Sequence, residues 1–165
     1  MPQKVIPLDE VEVRTSTHGE HYEWKRQRIT SLTGLNKLGC SVYEIPPGKR
    51  AFAYHYHHAN EELFFVMDGE GIVRTPDGEL SVRSGDFVAA VTGEDGAHQL
   101  INNSDKPLRY LAVSTMIEPE VVEYKDSKKM FIMAGAAPGG EKHQRKVNLI
   151  FKQADATDYW DSEPE

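Results

Sequence analysis

Short apolar segments alternate with turn-forming residues along the middle of the chain. The segments are about five to nine residues long, and no helical period interrupts them. The connections between them are rich in Gly, Pro, Asn, Asp and Ser. Eight segments have strand composition: CSVYEI, AFAYHYH, ELFFVM, GIVRT, ELSVR, DFVAAV, HQLIN and LRYLAVSTM. The pattern predicts an all-β protein, either a β-sandwich or a small barrel.

The two ends of the chain carry weaker strand patterns. We predict one domain over residues 1–165, with a barrel core at about 35–117. Residues 1–34 are predicted to form an N-terminal arm with a short strand at most, and residues 118–165 a C-terminal extension. Near its end, Tyr159 and Trp160 are expected to pack a tail onto the barrel or onto a partner subunit.

Composition excludes several classes of function. The 165 residues carry a formal net charge of -7, which disfavours nucleic acid and anionic membrane surfaces as partners. No apolar run approaches the roughly 18 residues needed to span a bilayer, and the N-terminus lacks an apolar signal core. The one cysteine, Cys40, excludes an internal disulfide and reads as a small buried residue. We therefore expect a cytoplasmic protein.

Candidate chemistry is concentrated between Pro47 and Asn102. His55 and His57 are two residues apart, so a strand would present both on one face. Glu62 opens the next apolar segment, and His98 follows a later one. Three imidazoles and a carboxylate are suitable ligands for Fe, Mn, Ni, Zn or Cu. We predict that these four side chains bind one divalent transition metal ion.

Neighbouring residues are assigned by the same alternation. We expect Phe64, Val66 and Leu100 to make the interior largely apolar, and Asn102 to hydrogen-bond the backbone or an imidazole. Six further side chains are expected to lie outside the site, on the outer face or in solvent: His18, His21, Tyr54, Tyr56, His58 and Glu61. His143 is expected to be solvated as well.

The spacing of these residues resembles the two motifs of the cupin superfamily. In the first, Gly48 is followed by six residues, His55-Tyr56-His57, four residues, Glu62, six residues and Gly69. In the second, Gly85 is followed by five residues, Val91-Thr92-Gly93, four residues, His98, three residues and Asn102. The departures are one extra residue before His55, Val91 in place of the usual proline, and two extra residues before His98. All three fall in loops, so they affect the rim of the pocket more than the ligands.

The resemblance also implies a fold and an assembly. The chain looks like a group of single-domain bacterial cupins with YHYHHANEE-like and LRYLAVST-like segments. Such a relationship implies a double-stranded β-helix (jelly-roll barrel), a metal held by His55, His57, Glu62 and His98, and a homodimer.

Two classes of function remain open from the sequence. The first is a metal-dependent enzyme of the oxygenase or the isomerase/lyase type that acts on a small organic molecule. The second is a binding or sensor module that captures a sugar or another metabolite without turnover, because no general base beyond the metal site can be named. A storage or structural role is less well supported, since the composition shows no bias.

Overall fold

The computed structural model describes residues 4–164, so the first three residues of the predicted arm and Glu165 lie outside the described part. Strands dominate these residues, and the helices are one short α-helix, α1 (Thr30–Thr33), and short 3-10 turns. The strands are β1 (Val13–His18), β2 (Tyr22–Arg28), β3 (Leu38–Ile45), β4 (His55–His57), β5 (Glu62–Asp68), β6 (Glu70–Thr75), β7 (Gly78–Arg83), β8 (Phe87–Ala90), β9 (Gln99–Ile101), β10 (Leu108–Thr115), β11 (Glu120–Tyr124), β12 (Lys129–Ala134) and β13 (Val147–Lys152).

The strands pair in three antiparallel sheets. A six-stranded sheet has the order β1-β2-β3-β10-β5-β8, a four-stranded sheet the order β13-β12-β11-β4, and a three-stranded sheet the order β7-β6-β9. Neighbours in these orders are often distant in sequence, which is typical of a jelly roll and not of a simple meander. The structure confirms the predicted all-β fold of the double-stranded β-helix type.

The core lies between the sheets and is built from the inward positions of the predicted strands. Phe64, Val66 and Leu100 are buried in it, as the alternation predicts. Tyr110 stacks on Tyr43 with 5.3 Å between ring centroids and is itself buried. Offset aromatic pairs at such distances add stability beyond their buried area.

Both flanking regions contribute strands that extend the barrel wall. The segment predicted as an arm forms the hairpin of β1 and β2, and β2 pairs with β3. The C-terminal region supplies β11, which pairs with β4, and then β12 and β13. Strands from both sides of the predicted core of 35–117 therefore complete the walls that surround the site.

The tail differs from its prediction. Tyr159 and Trp160 are 82% and 72% exposed and contact each other edge-on, with 4.7 Å between ring centroids. They do not pack the tail onto the barrel of the same chain. A second difference concerns Tyr54 and Tyr56, which turn away from the interior as predicted but are buried against Ala97 in a small separate cluster.

Two glycines of the turns are required by their surroundings. Gly69 has φ +84°, and a Cβ at this position would collide with the carbonyl oxygen of Pro107. A Cβ on Gly96 would collide with the carbonyl oxygen of Val91, in the loop that leads to His98. Only glycine lets the chain approach closely enough at these two turns to place the strands that follow.

Within residues 4–164, no helix has the length and apolar character needed to cross a bilayer.

Candidate metal centre

Strand pairing brings the four predicted ligands together from three parts of the chain. His55 and His57 occupy β4, and Glu62 begins β5. His98 precedes β9 and lies directly opposite His55, with backbone N–H donation in both directions at 3.2 and 2.9 Å. The two motifs are thus joined by a backbone bridge at the site itself.

Ligand atoms of three of the four predicted residues lie close together, and His57 is not among these three. Atoms of His55, Glu62 and His98 all lie within 4.8 Å of one another. Glu62 Oε2 is 3.1 Å from His98 Nε2 and 3.3 Å from His57 Nε2. The His57 ring is set farther from His98 than the His55 ring, with centroid distances of 6.4 and 4.6 Å. Glu62 Oε2 therefore lies within reach of two imidazoles.

The outer nitrogen of each imidazole is held by an acceptor. His55 Nδ1 donates to the Ala53 carbonyl at 2.8 Å, and His98 Nδ1 donates to the Gly96 carbonyl at 2.9 Å. His57 Nδ1 lies 3.2 Å from Glu120 Oε2. A carbonyl oxygen can only accept, so the Nδ1 atoms of His55 and His98 carry the protons and each Nε2 lone pair turns inward.

This donor set fits a metal ion. The contact of His57 Nε2 with Glu62 lacks hydrogen-bond geometry, and His57 Nε2 is a buried nitrogen without a hydrogen-bond partner. Inward Nε2 atoms with their Nδ1 atoms held from outside are the usual arrangement of metal-binding imidazoles. The cluster could therefore hold a divalent ion, and its N₃O composition is compatible with several transition metals.

Glu120 is the main support of His57 and was not predicted. Its carboxylate is fully buried, at 0% exposure, and it accepts from the backbone N–H groups of His58, Ala59 and Val121. It also accepts from Asn60 Nδ2, which is 2% exposed. A buried carboxylate with this many donors remains ionised and fixes the orientation of the imidazole beside it.

The carboxylates and imidazoles shift one another's pKa values. Burial would favour neutral His57, but the contacts with Glu120 and Glu62 outweigh burial and raise the pKa of His57 to about 9. Burial, and then the neighbouring His98 and His57, lower the pKa of His55 to about 3. Burial opposes ionisation of Glu62, yet its contacts with His57 and His98 hold its pKa well below the usual range. These contacts favour the protonated form of His57 while no ion is bound.

The cluster opens into one cavity of about 240 Å³. This volume equals that of about eight liquid water molecules, so the ligand must be small. The six-stranded sheet lines one side, with Tyr43, Phe64 and Tyr110, and the four-stranded sheet lines the other, with Val122 and Met133. Among the described lining residues, Glu62 is the only carboxylate.

The remaining candidates behave largely as the alternation predicts. His58 is exposed and its Nε2 lies 2.7 Å from Glu123 Oε1, away from the cavity. Asn102 Nδ2 donates to the backbone carbonyls of Ile45 and Lys106 at 2.8 and 2.7 Å. Cys40 is half-buried and lines the cavity, and burial raises the pKa of its thiol. Nothing in this geometry activates Cys40 as a nucleophile.

Sequence reasoning missed three arginines that line the same cavity, Arg26, Arg28 and Arg145. Arg26 and Arg28 are two residues apart on β2, which would have placed them on one face had the segment been read as a strand. No comparable signal marks Arg145, which lies in a loop before β13.

Comparison with known proteins agrees with this architecture. Residues 41–114 match the family Cupin_2, described as a cupin domain. The chain is 35% identical over 85 residues to gentisate 1,2 dioxygenase 1 of Aquipseudomonas alcaligenes, and 26% identical over 74 residues to an oxalate-binding protein of Thermotoga maritima. These matches cover 48% and 45% of this chain, but only 23% and 59% of the relatives.

A solved structure matches almost the whole chain. It is a sugar phosphate isomerase from a cupin superfamily of Silicibacter pomeroyi DSS-3, with a TM-score of 0.77 and 22% identity. The alignment covers 96% of this chain and 98% of that one. The fold, the paired motifs and the inward-facing donors define a small jelly-roll barrel with a candidate metal centre. The match of residues 41–114 to the cupin-domain family and the fold of the described residues thus agree with each other.

Proposed function

We propose that this protein is a metal-dependent enzyme that acts on a small organic molecule in the barrel cavity. One divalent transition ion (Fe, Mn, Ni, Zn or Cu) would be held by His55, His57, Glu62 and His98. The observation that carries the proposal is the inward turn of the imidazoles, whose Nδ1 atoms are held by Ala53, Glu120 and Gly96. Such a set of buried donors is costly unless a cation compensates it.

The residues divide the work between holding an ion and excluding water. A bound divalent ion supplies Lewis acidity toward an oxygen of the substrate. Glu62 provides the negative charge that offsets the ion, and Glu120 keeps His57 oriented through Nδ1. Phe64, Val122 and Met133 make the wall beside the cluster apolar, so electrostatic interactions there are stronger than in water.

We favour isomerase or lyase chemistry over oxidation. The similarity to the sugar phosphate isomerase covers 96% of this chain. The similarity to the dioxygenase covers 48% of the chain. Oxidation with dioxygen is the competing reaction type. Because oxidation needs a redox-active ion, the identity of the metal distinguishes it from isomerase or lyase chemistry.

Metal analysis of untagged protein tests the proposal. We expect about one transition ion per chain, lost in the double variant His55→Ala/His98→Ala. The matched control is His58→Ala/His143→Ala, whose side chains lie outside the cavity and whose metal content should equal that of the unmodified protein. Unchanged metal content in the first variant would contradict the ligand assignment.

A binding module is the second candidate, and a specific observation favours it. The cavity offers no carboxylate besides Glu62 among the described lining residues, so a general base is not evident. One relative is an oxalate-binding protein. A metabolite panel scored by thermal shift and by product formation separates the two functions. Stabilisation without turnover under several reconstituted metals would favour binding alone.

The setting of this activity is part of the proposal. We propose a cytoplasmic homodimer with a small-molecule ligand and no nucleic-acid or membrane partner. The net charge of -7 supports the absence of nucleic acid. Leu63 and Phe87, which are exposed on β5 and β8, support a subunit contact on the six-stranded sheet.

A further inference from the structure

Two arginines of β2 point into the barrel. Arg28 lies opposite Ser41, Ser41 opposite Ala112, and Ala112 opposite Phe64. Residues directly opposite one another in neighbouring strands share a face of the sheet, so Arg28 shares the inner face with Phe64 and with Glu62. Arg26 lies two residues before Arg28 and shares that face as well. Arginine is uncommon in the interior of a barrel, where side chains are usually apolar.

A third arginine reaches the same space from the opposite side. The Arg145 guanidinium packs over Phe131, 5.5 Å from the ring centroid, and both residues line the cavity. Its Nη1 donates to Asn148 Oδ1 at 2.8 Å, while its Nη2 meets the carbonyls of Ala137 and Pro138 at 3.3 and 3.4 Å. The Arg145 Nε–H is buried and has no partner.

The three guanidinium charges exceed the negative charge around them. Glu141 pairs with Arg28 at 3.0 Å, and it is the only described carboxylate within ion-pair distance of any of the three. Glu62 is engaged by His57 and His98. Burial, and then the neighbouring Arg28, lower the pKa of Arg145, as expected for two cations without a shared anion. About two positive charges are therefore uncompensated, although the whole chain carries -7.

We propose that Arg26, Arg28 and Arg145 bind the phosphate group of a phosphorylated small molecule whose other end reaches the histidine–glutamate cluster. This inference rests on the proposed function, because both sites share one cavity. A phosphate monoester carries about −1.5 to −2 charges at pH 7, which matches the excess, whereas a carboxylate carries one. Guanidinium groups also match the oxygens of a phosphate as bidentate donors.

The dimensions suit one bifunctional molecule. The backbones of β2 and β5 are three strand spacings apart, about 14 Å. The arginine and ligand side chains line one cavity, so a molecule that reaches both must span about this distance. Gln99 lines the same cavity, is 2% exposed and has its Oε1 buried without a partner, which leaves an acceptor for a substrate hydroxyl.

Calorimetric titration of metal-free protein with inorganic phosphate tests the site, since no ion is then present to bind the probe. We expect binding that weakens at least about tenfold in Arg28→Gln/Arg145→Gln, because charge-assisted hydrogen bonds are lost. Arg83→Gln, an exposed arginine of β7, is the matched control and should bind within about twofold of the unmodified protein. The single variant Arg26→Gln keeps the test valid if the double variant fails to fold, and we expect it to bind several-fold more weakly.

A second variant should change the phosphate affinity in the opposite direction. Glu141→Gln removes the carboxylate that competes for Arg28, so phosphate should bind a few-fold more tightly. Glycerol 3-phosphate should bind and glycerol should not, which isolates the contribution of the phosphate group. Acetate or oxalate binding more tightly than phosphate would overturn the phosphate assignment, and so would phosphate affinity that is absent or unaffected by loss of the arginines.

The two proposals fail separately. His55→Ala/His98→Ala should lose metal and keep its phosphate affinity in metal-free form, while Arg28→Gln/Arg145→Gln should keep its metal. Arginine-dependent phosphate binding in a protein that takes up no metal would overturn the proposed enzyme and leave the anion site standing. Metal binding without phosphate binding would overturn the anion site and leave the proposed metal-dependent enzyme standing.

Discussion

The cavity has two ends that differ in which of their polar groups lack a hydrogen-bond partner. At the histidine end, each Nδ1 has an acceptor, and Glu120 is surrounded by donors. At the arginine end, the Arg145 Nε–H lacks a partner and a single carboxylate faces three guanidinium groups. The atom left without a partner at the histidine end is a ring nitrogen, His57 Nε2, which suits a cation, whereas the N–H group left without a partner at the arginine end suits an anion. Four experiments test this contrast.

The largest effect is expected at Glu120. Glu120→Ala leaves the N–H groups of Ala59 and Val121 and the Asn60 amide without their acceptor, so we expect a loss of about 3–5 kcal/mol in the free energy of unfolding. Metal affinity should fall about 10–100-fold. Urea unfolding and metal titration measure the two effects.

The matched control for Glu120 is Glu123→Gln, because Glu123 pairs with the exposed His58. His58 is exposed and Glu123 is partly exposed, and pairs at the surface contribute about 0–1 kcal/mol, so this variant should unfold almost like the unmodified protein. Equal losses in the two variants would contradict the view that the histidine end depends on a buried carboxylate.

The second effect is proton release on metal binding. His57 has a pKa of about 9 without metal, so it is protonated at pH 7 and must lose that proton before Nε2 can bind an ion. Metal affinity should therefore rise about tenfold per pH unit up to pH 9, with about one proton released per ion. Calorimetry in buffers of different ionisation enthalpy measures the release. Heats that are independent of the buffer would show that His57 is already neutral.

A smaller effect is expected at the arginine end. Arg26→Gln removes an unpaired charge from a cluster of like charges, so the free energy of unfolding should change by less than about 0.5 kcal/mol or increase. Thermal unfolding at low and high salt measures the change and its screening. A loss comparable to that of Glu120→Ala would show that the arginine end serves the fold instead of a ligand.

The smallest effect on both ends is expected at the outer face. Phe87→Asp places a charge where 66% of the phenylalanine side chain is exposed, so the proposed homodimer should dissociate while metal content and phosphate affinity stay constant. Light scattering measures the mass of the particle. Leu80→Asp on β7 is the control, and a dimer that survives Phe87→Asp would move the interface elsewhere.

The same contrast explains what the sequence could predict. His55 and His57 were placed on one face by the two-residue period of a strand, and Glu62 by the strand that follows. These relationships are local, so a pattern can carry them. Glu120 is one of several acids in a segment with no distinguishing period, and only the pairing of β11 with β4 brings it to His57. Sequence spacing does not encode that pairing.

The arginine end was missed for a related reason. Trp24, Arg26 and Arg28 alternate correctly for a strand, but β2 is partly buried on both faces and five of its seven residues are polar or charged, so no apolar stripe revealed it. Arg28 Nη2 donates to the Gly139 carbonyl, 111 residues away, and contacts of that range depend on the completed barrel. The charged residues in the interior depart from the usual rule that buried faces are apolar. Functional sites are expected where a sequence departs from such a rule.

The backbone bridge between His55 and His98 has a mechanical consequence. The two residues proposed to share an ion are also joined by hydrogen bonds between their backbones. Metal coordination and backbone hydrogen bonds would therefore both hold the same two segments together. After removal of the ion, only the two backbone hydrogen bonds would oppose separation of His55 from His98. Amide hydrogen exchange at His55 and His98 should accelerate in chelator-treated protein before any distant strand responds.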